Sequence, residues 1–327
     1  MLDFDGVLLV GAVVVIAAIL AAPLGSRIGL LALLLFLGLG VALGMGMDVS
    51  GYNFDDPNLA RDLGFGALVL ILTEGGLTTR WSEIRPSIGV AGALATAGIA
   101  VSVALMTAFC YYVLGLDFWV SLLLGAVTSP TDSAAVFSVL RNVPIPHRLR
   151  GILEAESGLN DAPTVLLVAV ASEAALAGRM DGGVLALVAL IAGELAGGVA
   201  VGLGLGWVGV AILRRVALPS SGLYPLAALV WAVFTYAAGA QLHTSGFAAV
   251  YVCALMLGNA QLPHRAATRS FVEGIGWIAQ IGLFIMLGLI AEPARVGQQE
   301  VVVAVAAGLF LTLVARPVSV LASASSS

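Results

Sequence analysis

Two acidic residues interrupt segments of this sequence that are otherwise apolar enough to cross a bilayer. Asp132 ends the run Thr128-Ser-Pro-Thr-Asp132, and Asp161 ends the run Glu154-Ala-Glu-Ser-Gly-Leu-Asn-Asp161. An ionisable side chain at membrane depth is costly, so it normally faces a protein-lined cavity and marks an ion or proton path. We therefore expect the functional site in these two segments.

The first segment is predicted to unwind inside the membrane. Pro130 removes a backbone hydrogen bond, and the hydroxyl residues Thr128, Ser129 and Thr131 surround it. An unwound stretch exposes carbonyl oxygens, and together with hydroxyl and carboxylate oxygens these suit a hard monovalent cation. The alternative is a proline kink whose freed backbone groups bond to a serine or threonine hydroxyl.

The second segment is predicted to place three polar side chains together. Ser157 and Asp161 lie four residues apart, and Asn160 lies three residues after Ser157, so a helix brings them to one face. Removal from water favours a protonated carboxylate, whereas a bound cation favours the ionised form. Proton and cation therefore compete for Asp161, and this competition is sufficient for coupled exchange.

Two further charged positions accompany these segments. Arg316 is a lone arginine in an apolar span and must be paired. We predict Glu156 as its partner, with Glu154 as the alternative, and a structural role, because a guanidinium does not exchange protons. Glu74 is either a further acid near the site or a helix-end residue that faces water.

No other set of residues predicts a site. The histidines lack metal-ligand spacing, and Cys110 and Cys253 lie in apolar runs without a Cys-x-x-Cys motif. No basic run with interleaved aromatic residues is present, which argues against a nucleic-acid partner. We expect no cofactor, no resident metal beyond a transported monovalent cation, and no enzymatic activity.

The composition places these segments in a membrane. Hydrophobic residues make up 60% of the 327 positions and charged residues only 10%, too little polar surface for a soluble globule of this length. Forty glycines spread through the apolar segments suit closely packed transmembrane helices. The sequence therefore predicts an all-α polytopic membrane protein whose main partner is the lipid bilayer.

About eleven membrane helices are predicted from roughly 20 apolar residues per crossing and from breaks at Pro, Gly, Asn and charged residues. They cover residues 6–22, 28–46, 64–79, 87–115, 118–140, 151–177, 182–213, 223–241, 244–259, 270–290 and 299–322.

The arginines are distributed unevenly between the two sides of this arrangement. Loops after odd-numbered helices hold ten of them: Arg27, Arg80, Arg85, Arg141, Arg148, Arg150, Arg214, Arg215, Arg265 and Arg269. The opposite loops hold three, Arg61, Arg179 and Arg295. Under the positive-inside rule this asymmetry predicts a cell-membrane protein with its N-terminus outside.

These motifs resemble those of a known family. Thr128-Ser-Pro-Thr-Asp132 followed by Glu154-Ala-Glu-Ser-Gly-Leu-Asn-Asp161 is similar to the monovalent cation:proton antiporters of the NhaP type. Gly246-Phe-Ala-Ala-Val-Tyr-Val252 and Leu257-Gly-Asn-Ala-Gln-Leu-Pro-His264 resemble, more narrowly, the potassium/proton branch. The likeness extends from about Phe4 to Ala322.

The resemblance implies a homodimer in which a dimerisation domain lies beside a six-helix core of inverted repeats with a broken crossing helix. It implies that Asp161 is the exchanging carboxylate, and that an Asn-Asp pair accompanies electroneutral exchange of K+ or Na+ for H+. The remaining implied roles are Thr131, Asp132 and Ser157 lining the ion, Asn160 holding the core, Glu74 nearby, and Glu156 paired with Arg316.

The resemblance also divides the chain. It implies dimerisation-domain helices in 1–86 and 216–296, core helices in 87–180 and 297–322, a linker helix in 181–215 and a disordered tail in 323–327. Members of this family continue for two more core helices, so about eleven of thirteen helices are expected here. We accordingly expect these residues to be a fragment, or a protein that transports poorly.

Other classes of protein fit two membrane acids less well. A sodium-coupled organic-anion symporter of related architecture would require an organic substrate to drive flux. An ion channel needs a continuous polar pore, whereas the polar residues here concentrate in a few helices. An intramembrane aspartyl protease has different residues before its two aspartates.

Overall fold

A computed structural model describes residues 31–49, 56–131, 146–178, 183–293 and 296–324, with three isolated residues, Ala12, Ile16 and Ile19. The described chain is helical and contains no strand, which confirms the all-α prediction. The predicted helix over 6–22, apart from those three residues, lies outside the described residues, as does Asp132.

The described chain contains ten helices. They are α1 (Leu31–Val49), α2 (Pro57–Thr78), α3 (Trp81–Tyr112), α4 (Phe118–Thr128), α5 (His147–Ala177), α6 (Gly183–Arg215), α7 (Leu223–Gln241), α8 (Gly246–Asn259), α9 (Arg265–Ile290) and α10 (Gln298–Phe310, Leu311–Ala315 and Arg316–Ala324). Two of them are irregular: α3 contains a 3-10 turn at Arg85–Ser87 and a π turn at Leu94–Gly98, and α10 contains a π turn at Leu311–Ala315.

Several helices begin in polar residues that hydropathy does not detect. The helix predicted from residue 64 begins at Pro57, because the Asp56 side chain accepts hydrogen bonds from the amides of Asn58 and Leu59. The helix predicted from residue 270 likewise begins at Arg265. Both predictions were wrong at the N-terminal end, since an apolar window excludes a polar first turn.

The predicted unwinding at Pro130 is present. Helix α4, predicted to reach residue 140, ends at Thr128, and Ser129, Pro130 and Thr131 are not helical. The Asp117 side chain caps its other end by accepting hydrogen bonds from the amides of Trp119 and Val120. Helix α4 is therefore a half-length helix whose C-terminus is followed by a non-helical stretch, and residues 132–145 lie outside the described chain.

The helices suit a bilayer. Six of those described are long and apolar enough to cross a membrane, and three shorter apolar helices accompany them within the described residues. The protein is therefore a multi-pass membrane protein.

Helices α1, α2, α6, α7, α8 and α9 form one packed group. Helix α9 lies along α1 and α2, while α8 packs between α2, α6 and α7. Contacts are close because small residues meet: a methyl group on Gly40 of α1 or on Gly288 of α9 would overlap the opposite backbone.

Helices α3, α4, α5 and α10 form a second packed group. Helix α4 lies between α3 and α5, and Gly125 lets it approach the backbone of Val103 in α3. Helix α10 lies along α3, where Phe109 and Phe310 stack with ring centroids 4.1 Å apart.

Helix α5 is the element of the second group that contacts the first most widely, touching α2, α6 and α8. Leu159 and Val165 of α5 pack against the buried core around Val69 of α2 and Val250 of α8. The segment that carries Asn160 and Asp161 therefore lies where the two groups meet.

The α2–α3 connection, the start of α5, the α6–α7 connection and the α8–α9 connection lie at one end of the molecule. Contacts join them in pairs: Trp81 with Asn259, Glu83 with Gly151, and Tyr224 with His264. These connections carry most of the described loop arginines, so the basic residues gather at one end.

Candidate ion-binding site

Four side chains from three helical segments meet at the unwound end of α4. Glu156 and Asn160 are buried on α5, one helical turn apart, and therefore share a face. The Thr131 hydroxyl donates to the Glu156 carboxylate oxygens, at 2.9 Å to Oε2 and 3.0 Å to Oε1. The Asn160 amide donates to Thr131 Oγ1 at 2.9 Å, to the Thr131 carbonyl at 3.3 Å and to Glu156 Oε1 at 3.3 Å.

These bonds hold the non-helical stretch after α4 against α5. A non-helical backbone at membrane depth is stable only where protein or enclosed water satisfies its polar groups. Asn160 bonds both the carbonyl and the hydroxyl of Thr131, so it takes the place of part of the missing helical hydrogen bonding. The break in α4 is thus supported by side chains of α5.

Arg316 supplies the positive charge for this cluster. Its Nη1 lies 3.7 Å from Glu156 Oε1, and the two side chains are 27% and 5% exposed. Arg316 immediately follows the π turn of α10 and precedes Pro317. The pair links α10 to α5 and balances the buried charge of Glu156 with a partly buried guanidinium.

Several buried oxygens around the cluster have no hydrogen-bond partner among the described residues. They are Asn160 Oδ1, Ser129 Oγ and Thr164 Oγ1. Thr164 lies four residues after Asn160 on α5, and Ser129 lies two residues before Thr131. Such oxygens are the groups that water or a hard monovalent cation would satisfy.

Of the two predicted acids, the structure describes Asp161 but not Asp132. Asp161 is half-buried on α5, directly after Asn160. Asp132 lies outside the described residues, although it follows Thr131, which belongs to the cluster. Ser157 and Glu154 lie within α5, and the structure does not describe their side chains.

Glu74 lies about one turn before the C-terminal end of its helix. It is half-buried, four residues before α2 ends at Thr78. Its side-chain carbons pack on Gly276 of α9, where a methyl group would come within 2.7 Å of Cγ. The structure therefore places Glu74 at the α2–α9 interface.

Sequence reasoning did not single out Thr164. The signal was available, because the spacing of four residues from Asn160 on a helix places both side chains on one face. Among the described residues, no group of three or more His, Cys, Asp or Glu side chains could hold a metal ion. Hydroxyl, amide and carbonyl oxygens dominate the cluster, a donor set that suits an alkali cation.

Comparisons with known proteins identify related sequences. The family model described as "Sodium/hydrogen exchanger, transmembrane" matches residues 10–326. The K(+)/H(+) antiporter NhaP of Alkalimonas amylolytica is 36% identical over 319 residues, which cover 97% of this chain and 54% of that protein. The K(+)/H(+) antiporter NhaP2 of Shewanella sp. (strain MR-4) is 33% identical over 289 residues, covering 88% of this chain and 50% of that protein. The chain thus spans about half the length of these relatives.

A solved structure shows the same fold. The sodium proton antiporter MjNhaP1 from Methanocaldococcus jannaschii at pH 8 superimposes with a TM-score of 0.79. The match covers 95% of this chain and 76% of that chain at 22% identity.

Proposed function

The chain belongs to the sodium/hydrogen exchanger family, and from this premise we propose that it exchanges a monovalent cation, K+ or Na+, for H+. Membership confirms the family predicted from the two acidic motifs. The proposal extends to alternating access, to electroneutral exchange of one proton per cation, and to a homodimer in the plasma membrane. The family is one of transporters, which favours this activity over the channel and protease alternatives.

The observation that carries the proposal is the half-buried Asp161 at the boundary of the two helix groups, beside a charge-balanced cluster. Glu156 already accepts hydrogen bonds from Thr131 and Asn160 and pairs with Arg316, so its oxygens hold the structure together. Asp161, the next residue after Asn160, is the carboxylate to which we assign exchange. It binds either a proton or a cation, and each ligand displaces the other.

The same carboxylate makes the exchange obligatory. An ionised, unoccupied carboxylate is costly to carry past lipid-facing apolar surface, whereas a protonated or cation-bound one is less costly. The site therefore changes its access from one side of the membrane to the other only when Asp161 binds a proton or a cation. We assign the remaining ion ligands to Asp132, Ser157, Thr131 and Glu74, together with carbonyl oxygens of the unwound stretch.

The two packed groups support a division of the chain into a static domain and a mobile domain. We assign α1, α2 and α7–α9 to a dimerisation domain, α3–α5 and α10 to a mobile core, and α6 to the linker. Each group is closely packed internally, and the groups meet through few elements, chiefly α5. A motion of the core against the dimerisation domain would move Asp161 along the surface of that domain.

The test is cation-driven proton flux in everted vesicles containing the full-length protein. Addition of K+ or Na+ should relieve an imposed pH gradient, and the titration with each cation identifies the substrate. Asp161→Asn should abolish this flux, a loss of roughly tenfold or more, because the amide cannot exchange a proton.

Glu173→Gln is the matched control. Glu173 is an exposed acid on the same helix, and its amide variant should exchange like the unsubstituted protein. Flux retained in Asp161→Asn at normal membrane levels would refute the assignment.

A further inference from the structure

One side chain joins segments of the chain that are far apart in sequence. Asn259, the last residue of α8, accepts a hydrogen bond at Oδ1 from the Trp81 amide at 2.8 Å, across 178 positions. Its Nδ2 donates to the Thr79 carbonyl at 2.9 Å and to the Leu255 carbonyl of its own helix at 2.8 Å. Both the acceptor and the donors of this amide are in use.

The segment that Asn259 holds is the passage between the two helix groups. Helix α2 ends at Thr78 and α3 begins at Trp81, so Thr79 and Arg80 alone connect them, both with extended backbone. Arg80 does not cap α3 with its own side chain. The first amide of a helix lacks an intrahelical partner, and Asn259 supplies one from another helix.

The α2 side of this connection is immobilised. A methyl group on Gly258 would overlap the Leu77 backbone, and one on Gly76 would come within 2.8 Å of the Tyr251 carbonyl. The last turn of α2 therefore rests directly on α8, without intervening side chains. Asn259 extends this fixed contact by two more residues, up to the start of α3.

The α3 side is built differently. Its first turns pass through the 3-10 turn at Arg85–Ser87 and the π turn at Leu94–Gly98, which interrupt regular α-helical bonding. Its first turn also contacts α5 of the same group, since Gly151 lies against the Glu83 carbonyl. The closely packed contact between α2 and α8 thus lies on one side of Trp81, and the irregular helix α3 lies on the other.

We infer that Asn259 is a positioning residue for exchange, one that fixes the pivot about which α3 and the helices packed on it move relative to α2 and α8. The inference rests on the proposed function. A hinge transmits a defined motion only when one end is held, and hinge residues lie at the ends of elements, away from the bound ligand. Asn259 meets both conditions, being at the end of α8 and outside the cluster of Thr131, Glu156 and Asn160.

The experiment measures exchange kinetics of Asn259→Ala in vesicles. Loss of the Asn259 hydrogen bonds to Thr79 and Trp81 should lower the maximal rate per protein roughly fivefold. The substitution impairs the motion of α3 relative to α2 and not the binding of the ion. The apparent KM for the cation and the pH midpoint should stay within about twofold, because the ion ligands lie on other segments.

Two further variants isolate the role of the amide. Asn259→Gln keeps both the acceptor and the donors but places the amide one methylene farther from the backbone, so its maximal rate should fall between those of the alanine variant and the unsubstituted protein. Gln261→Ala removes an exposed amide two residues away that makes no hydrogen bond with a described residue, and should behave as unsubstituted protein. If Asn259→Ala fails to fold, the glutamine variant is used for the comparison.

Deuterium uptake provides the second readout. Residues 79–84 should exchange faster in Asn259→Ala, while α9 should not change. An unchanged maximal rate, or a rate loss matched by a parallel shift in KM, would overturn the inference. If the unsubstituted protein shows no cation-driven flux, the proposed function fails; if it exchanges and Asn259→Ala exchanges equally, only the pivot fails.

Discussion

At the scale of single residues, the Glu156 carboxylate is the centre of the described cluster. Thr131 and Asn160 donate to it, and Arg316 neutralises it. Removing Arg316 from this partly buried pair leaves the buried Glu156 charge uncompensated, which is more destabilising than removing both members. The cluster therefore has a structural task, to hold the broken end of α4 against α5 and α10.

A double-mutant cycle tests this coupling. Glu156→Gln and Arg316→Met should each destabilise the protein by about 3 kcal/mol. The double variant should cost less than the sum, with a coupling on the order of 1–3 kcal/mol. The measurement is apparent melting temperature in detergent, and strictly additive losses would contradict a direct interaction.

At the scale of elements, glycine spacing decides how closely helices approach. Gly198, Gly202 and Gly206 recur every four residues on the face of α6 that meets α8. A methyl group on Gly202 would come within 2.6 Å of the Ala249 carbonyl, whereas one on Gly204 would meet open space. The two glycines share a helix but not a function.

This difference predicts opposite outcomes for one substitution. Gly202→Ala should destabilise the protein by about 1–3 kcal/mol, because a backbone contact must open. Gly204→Ala should be neutral or stabilising by up to about 1 kcal/mol, because alanine has the higher helix propensity. Melting curves of the two variants in the same detergent provide the comparison; equal shifts would show that α6 and α8 are not in direct backbone contact.

At the scale of the whole molecule, the described connections that carry arginines meet at one end. Hydrogen bonds and ring contacts at Asn259 and His264 join these connections independently of any assumption about the membrane. The positive-inside rule then predicts that this end faces the cytoplasm.

Cysteine labelling tests the orientation. Gln261→Cys, at the arginine-rich end, should react with a membrane-impermeant maleimide in everted vesicles but not in intact cells. Gln298→Cys, at the start of α10 beyond the opposite end of α9, should show the reverse. The native Cys110 and Cys253 are buried and can remain. Labelling of both positions from one side would exclude this topology.

Local features made much of this protein readable from its sequence. Hydropathy, which reflects the free energy of transferring residues between water and lipid, identified the apolar helices. It misplaced the starts of α2 and α9 because their first turns are polar. Pro130 predicted the end of α4, because a residue without an amide hydrogen removes a helical hydrogen bond and the hydroxyl residues around it offer the backbone other partners. The predicted roles of Asp132 and Ser157 remain predictions.

The sequence alone determined that this is an α-helical membrane protein, because hydropathy and helical spacing are local properties. Its acidic motifs indicated an antiporter family and placed polar residues within two apolar spans. Only the tertiary structure decided that Asn160 bonds Thr131 and that Asn259 clamps the start of α3. The physical reason is that periodicity and transfer free energy belong to neighbouring residues. Contacts across 29 or 178 positions depend instead on how closely packed helices cross.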